Sequence, residues 1–243
     1  MPPQHLRDPN DLSLDEIELI EKQSIRSLYQ ATIDFGFEAY DIFRQSTDNV
    51  TEVGEDITRE ILDRIGGFQV QPSQRLYGNV DYRKARYVIL PEYMIRQALF
   101  VDSKAEKHRS TATLQMSQLS MRVRQTRTFG VVDIPGKLPM VSEYNAVRFL
   151  TTTLLSHYFY SEVSPIRTLL RATLIALPNG RLQNLYNPNA DDSIWRAGRS
   201  ATTLGEEFRV RLSFEELWKR KSWRVQHVLY KADERVIEHD WRD

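Results

Sequence analysis

Apolar positions in the first third of the chain recur at helical spacing. Ile17, Ile20, Leu28, Ala31, Phe35 and Ile42 mark one buried stripe over residues 13 to 46. Ser13-Leu-Asp-Glu16 is a capping box that starts this helix, and Gly36 is placed to bend or interrupt it. A second helix is predicted from Thr51 to Ile65, stopped by Gly66-Gly67. The pattern then changes. Asn79 to Leu90 and Ile95 to Lys104 predict strands joined by a turn at Pro91-Glu92. Residues 110 to 123 predict a helix, and Val131 to Ile134 a short strand. Phe149 to Tyr160 and Thr168 to Leu177 are rich in β-branched and aromatic residues and predict central strands. A long polar connection, Leu182 to Leu204, carries the turn signals Asn187-Pro188 and Asn189-Ala-Asp-Asp192. Beyond it come a strand (Phe208 to Leu212), a short helix (Phe214 to Lys221) and a last strand (Trp223 to Tyr230). Long helices first, then strands, predict one α/β (or α+β) domain over residues 1–243: mainly helical to residue 66, a mixed central sheet flanked by helices over 67–180, then the C-terminal strands.

Composition narrows this picture. The absence of cysteine excludes disulfides and thiolate metal sites. The start MPPQHLRDPND has no apolar core of the kind a signal peptide needs. No apolar run approaches the ~20 residues that span a bilayer. The expectation is a cytoplasmic protein with no membrane partner. Net charge is zero but unevenly spread: residues 1 to 66 hold 15 acids against 6 bases, so the remainder carries +9. Between Ile194 and Arg224 there are 8 bases against 4 acids. A neutral total argues against nucleic acid as a partner; a basic C-terminal half reopens it. A solvated charged face is the plain alternative.

The chemistry concentrates in ALFVDSKAEK, residues 98 to 107. On a strand, Asp102 and Lys104 project to one face and Ser103 to the other, so Ser103 is the residue of the three expected to tolerate change. A second acid, Asp81, lies near the start of the preceding predicted strand. Two strands joined by a turn can bring Asp81 and Asp102 together, and two such carboxylates repel unless a cation sits between them. Hard oxygen ligands with open water positions suit Mg²⁺. A bound cation neutralises charge on a phosphoryl group and acidifies a water, while Lys104 positions or helps deprotonate that water. Glu55, in Glu55-Asp-Ile-Thr58, can add a third acid. This is the PD…(D/E)xK pattern of restriction-endonuclease-like nucleases, except that Val80 stands where the proline would. Taken alone the pattern is weak, since an exposed Asp–Lys pair worth ~0–1 kcal/mol looks the same.

The wider chain adds LSLDEIELIEKQ, GEDIT, VDYRKAR, LFVDSKAEKHR, SQLSM, LPNGRLQNLYNP, the AGR of residues 197 to 199, RVRL and WRVQHVLYKAD. Together, from about Leu12 to Arg242, these resemble the type II restriction endonucleases of the SfiI/BglI-like group. The resemblance implies a restriction-endonuclease-like core and Mg²⁺-dependent, sequence-specific cleavage of double-stranded DNA. By position it makes Asp81 and Asp102 metal ligands and Lys104 the third catalytic residue; Glu55 sits on a matching motif. It also implies G·C-rich half-sites flanking unread bases, 3′ overhangs, and a homodimer or a homotetramer. A repair or recombination nuclease on the same core, and a DNA-binding protein without catalysis, are the rival readings.

Sequence reading by such a protein needs arginine or lysine against guanine O6 and N7. Arg209 and Arg211 share a face on a strand. With Arg199, which stands where the resembling enzymes carry lysine, they are the candidate readers. Arg196 reads equally as a phosphate contact or as plain surface. Arg109, Gln115 and Gln118 follow the Asp102 strand and can reach DNA. His108, His157 and His227 lack metal-ligand spacing, and His157 is expected as a satisfied core histidine. Tyr158-Phe159-Tyr160 and Trp195 are expected to pack. Gly66-Gly67 has no P-loop context, so no nucleotide cofactor is expected.

Overall fold

The computed structural model describes residues 6–64, 85–164, 166–196, 209–231 and 233–243. Helix α1 (Leu14–Phe35) begins at the capping box: the Ser13 hydroxyl accepts from Glu16 N–H, and the Glu16 carboxylate accepts from Ser13 N–H. It ends at Gly36, whose φ of 60° favours glycine. The single predicted helix is therefore two, with α2 (Glu38–Gln45) turning away after that break. Helix α3 (Val50–Arg64) follows as predicted. Gly66-Gly67 and the first part of the predicted 79–90 strand lie outside the described residues.

Strands β1 (Ala85–Leu90) and β2 (Ile95–Glu106) form an antiparallel hairpin through a 3-10 turn at Pro91–Tyr93. Next come β3 (Thr111–Gln115), a 3-10 turn (Met116–Gln118), β4 (Val123–Arg127), β5 (Gly130–Ile134) and β6 (Val141–Tyr144). The predicted helix over 110–123 is thus a strand and a turn. Thr111-Ala-Thr-Leu-Gln115 alternates apolar Ala112 and Leu114 with polar neighbours, and pairing with a distant strand decides the outcome. Then follow β7 (Val147–Val163), β8 (Ile166–Leu177), α4 (Gln183–Tyr186), β9 (Trp195–Arg196), β10 (Arg209–Ser213), α5 (Phe214–Arg220), β11 (Val225–Lys231) and β12 (Val236–His239).

Three layers result. The main sheet runs β1-β2-β7-β8-β11-β12, with β6 on β7; β2 and β7 are parallel and the other pairs antiparallel. Residues 149 to 158 of β7 are buried without interruption, as a strand covered on both faces requires. One face, through Leu154, Tyr158, Leu174 and Val228, packs on α1, α2 and α3. The other, through Leu155, Ile175 and Val225, packs on a small sheet of order β3-β10-β9. No described helix is long and apolar enough to cross a membrane.

One charged cluster lies inside this packing. Arg224 and Glu21 are both fully buried and their side chains meet at 2.7 Å. Arg224 also donates to Tyr186 Oη at 2.6 Å and Ala176 O at 3.3 Å, and lies between the rings of Trp223 and Tyr186. Glu21 accepts from Asn179 N–H at 2.7 Å. Burial pushes the Glu21 carboxyl up, and Arg224 pulls it back.

Two histidines share a face of the sheet. His227 bonds Thr173 Oγ1 through Nδ1 at 3.1 Å. Burial, with Arg171, Arg242 and His157 nearby, lowers its pKa to about 4. The folded state therefore keeps His227 neutral where the unfolded chain, titrating at about 6.5, takes up a proton. Stability falls as pH drops through that window, by about 2–3 kcal/mol from this residue. Urea midpoints from pH 7 to 4.5 should show the slope, and His227→Gln should flatten it. His157 is buried as expected but not satisfied: among the described residues neither ring nitrogen has a hydrogen-bond partner, and Glu106 Oε2 is 3.7 Å from Nε2. It packs edge-on against Phe214 instead.

Candidate active site

The end of β2 carries the predicted pair. Asp102 and Lys104 project to one face, and Lys104 Nζ lies 2.9 Å from Asp102 Oδ2. Both side chains are about a quarter exposed, at 24% and 26%. The opposite face of β2, through Leu99, Val101 and Ala105, belongs to the helical core. Ser103 faces that way as predicted, but it is buried. A Cβ on Gly54 of α3 would meet Ala105 Cβ at 3.6 Å and Ser103 Oγ at 3.8 Å, so the helix lies close on the strand. Ser103 thus has room only for a small side chain, and its expected tolerance narrows to that.

Close approach of α3 also places Glu55, the residue after Gly54. A buried hydrogen bond of 2.8 Å between Thr58 Oγ1 and Tyr158 Oη ties the helix to β7. Glu55 remains open to solvent on one side. Partial burial and then the Asp102 charge push its carboxyl up, while Lys104 pulls it down. Three of the four predicted catalytic residues, Asp102, Lys104 and Glu55, are therefore within electrostatic reach of one another. Asp81 lies outside the described residues. No cluster of three or more metal-ligating side chains occurs among the described residues. The part-exposed Asp102 and the exposed Glu55 nevertheless supply carboxylate oxygens, a donor type that fits a hard cation keeping several waters.

The candidate readers gather on the small sheet. Arg209 is paired with Gln115, Arg211 with Thr113, and Arg211 on its other side with Arg196. Directly opposed residues share a face, so Gln115, Arg196, Arg209 and Arg211 line one side. The other side, through Ala112, Leu114, Val210 and Leu212, is buried in the core. Arg196 is exposed, 3.5 Å from Glu215, and open to a ligand. Arg109 is exposed beyond β2 and its carbonyl accepts from Arg171; it is not on this sheet. Arg199 lies outside the described residues. Tyr158, Tyr160 and Trp195 are buried, as expected of packing residues.

Gln118 stands between the two groups, an arrangement that residue types alone did not reveal. Its Nε2 donates to Asp102 Oδ2 at 2.7 Å, and its Oε1 accepts from Gln115 N–H at 2.8 Å. It is 2% exposed, so it does not reach out to DNA as expected.

A mixed sheet ending in an acid and a lysine, with helices on one face and an arginine-bearing sheet beyond the other, is the fold of a restriction endonuclease. The family model of the type II restriction enzyme SfiI matches residues 20–228. The SfiI enzyme of Streptomyces fimbriatus is 32% identical over 252 residues, an alignment covering 98% of this chain and 93% of that one. The crystal structure of tetrameric SfiI bound to cognate DNA aligns with a TM-score of 0.85 at 31% identity, covering 98% of this chain and 93% of that one. BglI bound to its DNA recognition sequence shares the fold, with a TM-score of 0.67 at 16% identity over 88% of this chain and 90% of that one. The chain belongs to the SfiI family of type II restriction enzymes. It is a site-specific deoxyribonuclease, and this membership implies a divalent metal cofactor.

Proposed function

We propose that the metal is Mg²⁺ and that the enzyme cuts double-stranded DNA at an interrupted, G·C-containing palindrome, leaving 3′ overhangs. The observation that carries this reading is the Asp102–Lys104 pair at the end of β2, approached by Glu55 and bonded through one amide to the strand pair holding Arg209. Asp81 and Asp102 are assigned as metal ligands, and Glu55 as an additional acid of the same pocket. These carboxylates would hold the Mg²⁺, which when bound would supply charge neutralisation at the phosphate and a more acidic water. Lys104 orients the attacking water and offsets negative charge.

Arg209 and Arg211 are assigned to guanine edges, with Arg199 as a third donor. Gln115 and Arg196 flank them on the same sheet, and Arg109 contacts the phosphate backbone. A two-fold symmetric site calls for a two-fold protein. A homodimer reads one site, and two dimers form a tetramer, the state in which the SfiI relative was crystallised on DNA.

Incubation with a plasmid or phage genome and Mg²⁺ should give discrete fragments, and EDTA should abolish them. A smear, or tight binding with no cleavage, would overturn the proposal. Arg209→Ala should weaken binding to the correct site by about 1–3 kcal/mol if it makes a bidentate guanine contact. Competition binding against substituted duplexes reads this out. An equal loss on every sequence would make Arg209 a phosphate contact.

A further inference from the structure

The segment that carries Gln118 is clamped from both sides. Lys137 N–H donates to Met116 O at 2.9 Å, and Leu138 N–H to Leu119 O at 3.0 Å. Gly180 N–H donates to Ser120 Oγ at 3.0 Å. Neither glycine beside it can carry a side chain: a Cβ at Gly136 would lie 2.2 Å from Leu119 O, and one at Gly180 would lie 2.2 Å from Ser120 O. The Gln118 amide is therefore held on a backbone that does not yield easily. Both of its ends are used. The carbonyl is fixed by Gln115 N–H, so the amide nitrogen must face Asp102. Gln115 is the residue directly opposite Arg209. The Gln118 and Lys104 contacts to Asp102 both fall on Oδ2. Oδ1 is the carboxylate oxygen that neither of these contacts uses.

We propose that Gln118 is a positioning residue that couples base reading to catalysis: it fixes the Asp102 carboxylate and ties that orientation to the Gln115–Arg209 strand pair. The inference rests on the site reading above. A buried amide donor sets which carboxylate oxygen is presented to the metal, and such outer contacts typically change metal affinity or activity by 10–100-fold. A shift of Gln115 when Arg209 meets its base passes through one rigid amide to Asp102. Displacements near 1 Å at a reacting centre are enough to change rates by about 10²-fold.

Gln118→Met keeps the volume and removes both bonds. Three readouts on the full-length enzyme test the proposal, with the cognate duplex taken from the sequenced cut ends. Metal-free binding to that duplex should stay within a few-fold of wild type. Mn²⁺ affinity of the enzyme–DNA complex on an uncleavable phosphorothioate duplex, read by electron paramagnetic resonance, should fall by about 10–100-fold, and single-turnover cleavage should fall in step. In combination with Arg209→Ala, the loss in cleavage rate should be well below the product of the single losses, because both act through one link. Unchanged Mn²⁺ affinity, or losses that simply multiply, would overturn the coupling. Loss of metal-free binding in proportion to cleavage would reduce Gln118 to a structural residue and overturn it too. Asp102→Ala, run alongside, separates the two levels: if it still cuts, the site reading fails, whereas an inactive Asp102→Ala beside a normal Gln118→Met sinks the coupling alone.

Discussion

Asp102→Ala is expected to abolish cleavage while leaving sequence-specific binding close to wild type. The carboxylate removed is the described residue with the strongest claim to the metal. It sits at the strand end, is part-exposed, and is oriented by Lys104 and Gln118. Losing several kcal/mol of transition-state stabilisation lowers the rate by roughly three orders of magnitude. Binding is spared because Arg209, Arg211, Gln115 and Arg196 stand on a different sheet, whose backbone pairing does not involve β2. Asp102→Asn is the closer control. It keeps the volume and an oxygen for Gln118 but removes the charge, and it should be equally inactive. Gel-shift titration beside single-turnover cleavage separates the two effects; an active variant, or one that no longer binds, contradicts the assignment.

The second large effect is on stability. Arg224→Met strips the guanidinium from a fully buried carboxylate and from the Tyr186 hydroxyl. Leaving one partner of such a pair uncompensated costs about 3–5 kcal/mol. At 2–4 °C per kcal/mol for a chain of this size, Tm should fall on the order of 10 °C. Adding Glu21→Gln should return part of the loss, since the stranded charge is then gone while Asn179 N–H still has an acceptor. A double variant as unstable as the sum of its singles would contradict the account. The effect reaches the active site indirectly. Asn179 precedes Gly180, which bonds Ser120 and helps clamp the Gln118 segment.

How much of this could be read from the chain differs by element. The capping box at Ser13, the α1–α2 break at Gly36 and the projection of Asp102 and Lys104 to one face are local consequences of residue type, and all three hold. Arg209 and Arg211 on one face of a strand follow from the same alternation. The strand at Thr111–Gln115 did not, because its five residues gain their pairing from β10 at the far end of the chain. Gln118 was visible as a polar residue near the site, but what a side-chain amide bonds is decided by tertiary placement. The buried Glu21–Arg224 pair has the same origin: charges far apart in sequence meet only when α1 packs beside β11. The charge imbalance was informative in sum yet silent on which acids point inward, since Glu55 belongs to the acidic helical segment and still approaches Asp102.

The central claim is that a two-fold enzyme reads a defined sequence and cuts it with the carboxylate end of β2. Sequencing the ends of DNA cut in Mg²⁺ tests it most directly, because site, symmetry and stagger come from one experiment. The expected result is a single interrupted palindrome with G·C pairs in each half-site, cut symmetrically to leave 3′ overhangs. Ends without a common sequence, or an asymmetric cut in a unique site, would contradict it.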